Sequence, residues 1–152
     1  MLTVGFIGNG KSANRYHLPF VLQRKDKIKV KTIVTRNLEN KTWKRIDGIN
    51  YTDKIEELYN DPEIDLVVIC LKPDLHYHYA REVLEHNKNC LVEKPFTETL
   101  EEAQELFELA KKKRLIVQPY HNRRFDSDFL TTMKVIESGK LGEILEIESN
   151  YD

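Results

Sequence analysis

Residues Leu2 to Ala13 read LTVGFIGNGKSA, and this segment is the strongest indication of the fold. Its mostly apolar first half, Leu2 to Ile7, predicts a buried β-strand. Gly8, Gly10 and Ala13 follow at the spacing Gly-x-Gly-x-x-Gly/Ala. In a strand–turn–helix unit the first glycine permits a tight turn, the second lets a pyrophosphate approach the backbone, and a small third residue lets helix and strand pack closely. The stretch therefore predicts a dinucleotide-binding unit, with a purely structural turn as the alternative.

The helix predicted after this turn opens with Lys11 and Ser12. Backbone N–H groups in the first turn of a helix lack partners within the helix, and the helix dipole favours an anion there. We therefore expect Lys11 and Ser12, together with the two glycines and Ala13, to contact the phosphates of a dinucleotide.

Beyond this unit, short β-rich runs alternate with amphipathic stretches, a pattern typical of parallel strands with helices on both faces. The predicted strands are Leu2–Ile7, Ile28–Val34, a weaker Ile49–Tyr51, Leu66–Leu71, Asn89–Glu93 and Leu115–Gln118. We predict an α/β fold with a Rossmann-type, doubly wound parallel sheet of about six strands.

Capping signals mark the helices between these strands. Thr99 and Glu102 form a capping box before a helical pattern of apolar residues. Asp53 and Asp74 are predicted to cap two further helices in the same way. A last helix is predicted over residues 126–138.

The carboxyl-terminal residues 143–152 alternate apolar and polar side chains, which predicts a half-buried strand. This stretch looks like the first strand of a second α/β domain that is absent from these 152 residues. We expect a dinucleotide-binding domain at 1–122, and at 123–152 a connecting helix and the first strand of a truncated substrate domain.

Composition excludes several classes of protein. The 24 Lys and Arg residues balance 25 Asp and Glu, giving a net charge of −1, so a nucleic-acid binder that works by bulk positive charge is excluded. Cys70 and Cys90 lie in apolar runs, which favours buried, reduced thiols and a cytoplasmic location. No run approaches the ~18 apolar residues of a membrane span. No metal site is predicted, because His76 and His78 are two residues apart and cannot face one ion from a helix.

The end of the second predicted strand bears on the choice of dinucleotide. An NAD site usually has Asp or Glu there to accept from the ribose 2′-hydroxyl. Here the strand ends in Thr35 and Arg36, with no acid before Glu39. A guanidinium forks onto a phosphate, so we predict NADP(H) in preference to NAD. The alternative is an exposed Arg36 that leaves the site indifferent to the phosphate.

Leu71, Pro73 and His76 follow the fourth predicted strand. Ligands of open α/β sheets lie beyond the carboxyl ends of the strands, so this loop should border the cofactor. His76 opens the next helix, where an imidazole either hydrogen-bonds a ribose or caps the turn. The sequence leaves both roles open.

Glu93 and Lys94 follow the fifth predicted strand. A lysine at this place can hold a substrate hydroxyl and the nicotinamide edge. Pro95 can fix the turn, with a cis Lys94–Pro95 bond as one form. The alternative is an exposed ion pair before a proline-led loop.

Taken together, these residues resemble a known family. Gly8-x-Gly10, the His17–Pro19 run, the Pro73–His76 loop, Val92–Pro95 and Asn122–Asp126 are similar to motifs of the nucleotide-binding half of the Gfo/Idh/MocA oxidoreductases. The first turn is most similar to the branch that includes NADP-dependent scyllo-inositol dehydrogenases.

The resemblance implies a second α/β domain that lines the substrate site and mediates a homo-oligomer. Lys94 then occupies the position of the family's catalytic lysine, Glu93 and Asn122 belong to motifs that border the cofactor, and an Asp and a His come from the second domain. The expected function is the NADP(H)-binding half of an oxidoreductase that moves hydride between nicotinamide and a secondary hydroxyl of a sugar or cyclitol. The alternatives are a stand-alone dinucleotide-binding or sensing module and an α/β domain with a vestigial site.

Overall fold

The computed structural model describes residues 1–39 and 42–150, which fall into two compact units, Met1–Tyr120 and the residues from His121 onward. The units divide two residues before the predicted boundary. The assignment of 123–152 to a second domain stays a prediction.

The first unit is built on a six-stranded sheet in which every strand pair is parallel, in the order β3-β2-β1-β4-β5-β6. The strands are β1 Leu2–Ile7, β2 Ile28–Val34, β3 Asn50–Thr52, β4 Leu66–Ile69, β5 Asn89–Val92 and β6 Val117–Pro119. The predicted Rossmann-type fold is confirmed. The loops after β4 and β5 begin earlier than predicted, at Cys70 and Glu93.

The strand order places a crevice between β1 and β4. From β1 the chain runs outward through β2 and β3, and it then crosses back to β4 on the other side of β1. The loops after β1 and β4 therefore leave the sheet side by side and diverge, which is where ligands bind in open α/β sheets. At the base of the crevice Cys70 N, directly after β4, donates to Ile7 O of β1 at 2.8 Å. On the other side Gly8 N, directly after β1, donates to Val34 O of β2 at 2.9 Å.

Helices cover both faces of this sheet. They are α1 Leu18–Val21, α2 Glu56–Tyr59, α3 His76–Glu85 and α4 Leu100–Lys113. Because side chains alternate across a strand, Val68 packs on one face with Phe6, Leu18 and Ile33. The neighbouring Val67 and Ile69 pack on the other face, against helix residues Leu58, Ala80, Val83, Leu84, Leu106 and Ala110.

The predicted helix caps are confirmed only in part. Thr99 and Glu102 form the capping box of α4. Asp53 and Asp74 do not cap: α2 begins after Ile55 and α3 after Leu75, both without a side-chain cap. The fold overrides both signals, because Asp53 borders the sheet edge one residue after β3 and Asp74 lies inside a 3₁₀ turn, Pro73–Leu75.

The second unit consists of a 3₁₀ turn, Asn122–Phe125, and α5, Ser127–Glu137. The strand predicted over 143–152 is wrong for the described residues 143–150, which form neither helix nor strand. A strand is stabilised by the backbone hydrogen bonds of a neighbouring strand, and no described residue pairs with this segment. Its apolar residues are exposed, Leu145 by 89% and Ile147 by 69%.

Candidate functional site

A cleft of about 710 Å³ opens at the crevice between β1 and β4. Seven of the predicted cofactor residues line it: Gly8, Gly10, Lys11, Ser12, Thr35, Arg36 and Leu71. Lining residues that the sequence did not single out for this role include Asn9, Asp53, Cys70, Lys72 and Tyr79. Most of them follow a strand, so the carboxyl-end rule applied to every strand would have found them.

Gly8 and Gly10 differ in how much space is free around the α-carbon. Gly8 has φ +107°, and a Cβ there would lie 2.3 Å from the carbonyl oxygen of Cys70. The fold itself therefore requires glycine at this turn. At Gly10 a Cβ would meet nothing within 4 Å. The backbone of Gly10 thus stands open to the cleft, which fits the close approach of a pyrophosphate.

Ala13 serves helix packing rather than the cleft lining. It is fully buried in the same cluster as Val4 and Phe6 of β1. Its small side chain allows the close contact of helix and strand predicted from the fingerprint.

The wall after β2 combines a cation and an acid. Arg36 is exposed and forms no hydrogen bond or ion pair with residues 1–39 or 42–150. Thr35 N donates to Thr52 O at 2.8 Å, which joins the end of β2 to the end of β3. Asp53 is the next residue after Thr52, and it lines the same cleft as Arg36. A carboxylate therefore reaches this wall from β3, although none stands at the end of β2.

The contacts of His76 fit the second of its two predicted roles, a cap on backbone groups, better than a bond to a ribose. The imidazole is fully buried, with Nδ1 2.7 Å from Pro95 O and Nε2 3.2 Å from Leu71 O. Both partners are carbonyl oxygens of loops, and the ring does not line the cleft. Pro73 likewise opens the 3₁₀ turn beside the cleft without lining it.

Lys94 lies on the turn after β5. Its side chain is exposed and makes no hydrogen bond or ion pair with the described part of the chain, so the predicted alternative of an ion pair is not seen there. The Lys94–Pro95 peptide bond is cis, the form the sequence analysis named. The amine is therefore available to a ligand.

The carboxylate of Glu93 turns inward, toward the first helix. Ser12 Oγ donates to Oε1 at 2.5 Å, and His17 Nε2 lies 2.8 Å from the same oxygen. Lys94 N donates to Oε2 at 3.1 Å. Because a carboxylate only accepts, Nε2 is the protonated ring nitrogen that faces it. We call Ser12, His17 and Glu93 the carboxylate cluster.

A local irregularity brings His17 to this cluster. Residues Ala13–His17 form a π-helical turn, closed by a bond from Leu18 N to Ala13 O. Pro19 has no N–H and cannot continue an α-helical ladder, which favours a widened turn just before it. The ring of His17 packs 4.3 Å from the ring of Tyr120 and at 6.2 Å, edge-on, from Phe6.

Burial and hydrogen bonding act in opposite directions on Glu93. Burial opposes ionisation, but bonds from His17, Ser12 and the Lys94 amide outweigh it and hold the pKa of Glu93 at about 2. The neighbouring Cys70 behaves differently, since burial and the nearby charge of Glu93 raise the pKa of its thiol to about 12. Cys70 and Cys90 are both free, buried thiols, as predicted.

The sequence did not join Ser12, His17 and Glu93 into one cluster. Ser12 and Glu93 were expected to bind cofactor separately, and His17 was noted only within a motif. Eighty-one positions separate Ser12 from Glu93, so only the fold brings them together. Asn122 lies in the second unit, and its contact with a cofactor stays a prediction.

In the part of the chain that the structure describes, no His, Cys, Asp and Glu side chains gather into a group that could hold a metal ion. The helices described there are all too short or too polar to cross a membrane.

Known proteins share these features. The family model of oxidoreductases with an NAD-binding Rossmann fold, Gfo/Idh/MocA, matches residues 2–121. An uncharacterized oxidoreductase of Escherichia coli (strain K12), YhhX, is 54% identical over the whole chain, which spans 44% of that protein. The scyllo-inositol 2-dehydrogenase (NADP(+)) IolW of Bacillus subtilis (strain 168) is 33% identical over 99% of the chain and 42% of its own length.

Solved structures agree. The crystal structure of the probable oxidoreductase YhhX superposes with a TM-score of 0.90 at 53% identity, over 95% of this chain and 42% of that one. An oxidoreductase from Bacillus cereus gives 0.85 at 47% identity, over 94% of this chain and 41% of that one. The chain thus spans less than half the length of these relatives. It belongs to the Gfo/Idh/MocA oxidoreductase family and carries the NAD-binding Rossmann domain of that family.

Proposed function

We propose that the chain is the NADP(H)-binding half of an oxidoreductase that moves hydride between nicotinamide and a secondary hydroxyl carbon of a sugar or cyclitol. The observation that carries the proposal is the cleft at the β1/β4 crevice, where Gly10 leaves open space and Arg36 stands exposed. The similarity to an NADP(+)-dependent scyllo-inositol dehydrogenase supports the same class of substrate.

The cleft lining offers separate groups to the pyrophosphate and to the ribose 2′-phosphate of a dinucleotide. The open backbone at Gly10 and the first helical residues Lys11 and Ser12 offer N–H groups to a pyrophosphate. Arg36 offers a guanidinium to a ribose 2′-phosphate, with the hydroxyl of Thr35 beside it. Asp53 on the same wall is the group that would instead accept from a 2′-hydroxyl, so Arg36 and Asp53 are expected to set the preference between NADP and NAD.

The chemistry proposed for Lys94 is polarisation of the substrate oxygen. A bound nicotinamide supplies the carbon that accepts or gives the hydride. The Lys94 ammonium donates a hydrogen bond to the hydroxyl or carbonyl oxygen of the substrate and stabilises alkoxide character there. The hydroxyl proton goes to a second group, which we place outside residues 1–152 on the strength of the family resemblance. His17 and His76 are not free to take it, because both rings are buried and held by protein acceptors.

The test uses a full-length protein that contains this chain, NADP⁺ and a panel of polyols that includes scyllo-inositol. Lys94→Ala is expected to lower kcat by about 10²-fold or more while the NADPH Kd stays within about threefold, because the amine acts mainly in the transition state. Lys112→Ala is the matched control, because Lys112 is an exposed lysine of α4 that does not line the cleft. An unchanged kcat in Lys94→Ala contradicts the proposed role.

The same proposal includes a cytoplasmic location and a homo-oligomer formed outside this chain. The location rests on the free, buried thiols, and the homo-oligomer rests on the family resemblance. Size-exclusion chromatography with light scattering of the full-length protein checks the second, and a monomer contradicts it.

A further inference from the structure

We propose that Ser12 and His17 position Lys94 through Glu93. Their hydrogen bonds fix the turn after β1, which contains Gly8 and Gly10, relative to the turn after β5, which carries Lys94. The inference rests on the proposed function in taking Lys94 to lie beside the nicotinamide. It reassigns Glu93 from a direct cofactor contact to a positioning residue.

The cluster links the two turns by short, consecutive hydrogen bonds. Ser12 is one residue from Lys11 in the cleft wall, and its hydroxyl donates to Glu93 Oε1 at 2.5 Å. The other oxygen of the same carboxylate accepts from the backbone N–H of Lys94 at 3.1 Å. A rigid carboxylate thus stands between the helix that follows Gly10 and the backbone that carries Lys94.

His17 fixes the carboxylate in this orientation. Its Nε2 lies 2.8 Å from Oε1, and both side chains are almost completely buried. The ring is held in turn between Phe6 of β1 and Tyr120 after β6, and Tyr120 N donates to Val92 O at 2.8 Å. Residues in β1 or directly after β5 and β6 therefore all contact one imidazole. These contacts leave the carboxylate of Glu93 little freedom to rotate.

A fixed backbone at Lys94 matters for catalysis, because it sets the place of the amine. Lys94 has no partner of its own among the described residues, so its place is set by its backbone. A shift of about 1 Å in a catalytic group can cost about 10²-fold in rate. Three donors hold one buried carboxylate, and that carboxylate belongs to the residue directly before the lysine.

The experiment measures the position of Lys94 without turnover. Full-length protein is pulsed with formaldehyde and a hydride donor, and methylation of each lysine is followed by mass spectrometry with and without saturating NADPH. Lys11 and Lys72 line the cleft, so their protection by NADPH reports occupancy in the same sample. In the parent protein NADPH is expected to protect Lys94 as well.

His17→Phe keeps the ring between Phe6 and Tyr120 but removes the donor to Glu93. NADPH is expected to protect Lys11 and Lys72 still, while protection of Lys94 is lost. His17→Gln restores an N–H donor and is expected to restore protection of Lys94. Ser12→Ala removes one hydroxyl with little change of volume and is expected to weaken protection in the same direction, which keeps the test decisive if His17→Phe does not fold.

Tyr59→Phe is the control for a general loss of stability, because it removes a part-buried bond of 2.8 Å to Glu82 away from the cluster. It should leave the protection of Lys94 unchanged. Full protection of Lys94 in both His17→Phe and Ser12→Ala overturns the positioning proposal alone. A parent protein in which NADPH protects Lys11 and Lys72 but not Lys94 overturns the proposed function, and the positioning proposal with it.

Discussion

The cleft and the carboxylate cluster share Ser12, and they hold their polar groups in opposite ways. In the cleft, Arg36 is exposed and the backbone of Gly10 faces open space. In the cluster, Glu93 is buried and accepts from three donors. The unpartnered groups of the cleft are therefore available to a ligand, whereas the satisfied groups of the cluster hold the backbone that carries Lys94.

The tight turn at Gly8 should tolerate substitution least. Gly8→Val forces a side chain onto the Cys70 carbonyl at a φ of +107°, and we expect the free energy of unfolding to fall by more than about 4 kcal/mol, or folding to fail. Circular dichroism with urea unfolding measures it. A stable Gly8→Val chain would show that the turn can relax.

The same substitution two residues later should separate binding from folding. A Cβ at position 10 meets no neighbour within 4 Å, so the fold should persist in Gly10→Val. The new side chain occupies the space where a pyrophosphate approaches, and we expect NADPH and NADH affinity to fall by at least about 10²-fold. Titration beside circular dichroism checks this. Retained binding would mean that Gly10 serves the turn alone.

The cluster predicts a pH-dependent term in stability. Glu93 has a folded pKa of about 2, below its ordinary 4.5, so its contribution is complete above about pH 4.5 and is lost as the pH falls toward 2. At pH 6 it amounts to about 3 kcal/mol, and we expect about 2 kcal/mol of it to disappear between pH 6 and pH 3.

Urea unfolding of the parent chain and Glu93→Gln across this range provides the test. The difference in unfolding free energy between the two should shrink as the pH falls. Glu85→Gln is the control, because Glu85 pairs with Arg81 on the surface with both side chains about half exposed. A parent-to-Glu93→Gln difference that stays constant with pH contradicts the assignment of the ionised carboxylate.

The sequence predicted well what short patterns determine. The tight turn at Gly8, the six strands and the capping box at Thr99 depend on neighbours within a few residues, and all are confirmed. The carboxylate cluster depends on residues from distant strands, so no local pattern could show it. The same holds for Asp53, which reaches the wall beside Arg36 only because β3 pairs with β2.

The tail shows the limit of periodicity. Residues 143–150 alternate as a strand would, yet they stay irregular, whereas β1 forms because β2 and β4 supply its hydrogen bonds. Alternation predicts which side chains could share a face. Whether a strand forms depends on a neighbour that the pattern does not contain.

Titration of the unmutated protein and of Arg36→Ala with NADPH and NADH tests whether this cleft binds NADP(H). The exposed guanidinium should favour NADPH by about tenfold to a hundredfold, the value of a charge-assisted hydrogen bond of about 1.5–3 kcal/mol. Arg36→Ala should erase that preference without weakening NADH, and Asp53→Asn should weaken NADH instead. Equal affinities for NADPH and NADH in the unmutated protein would contradict the assignment of this cleft to NADP(H).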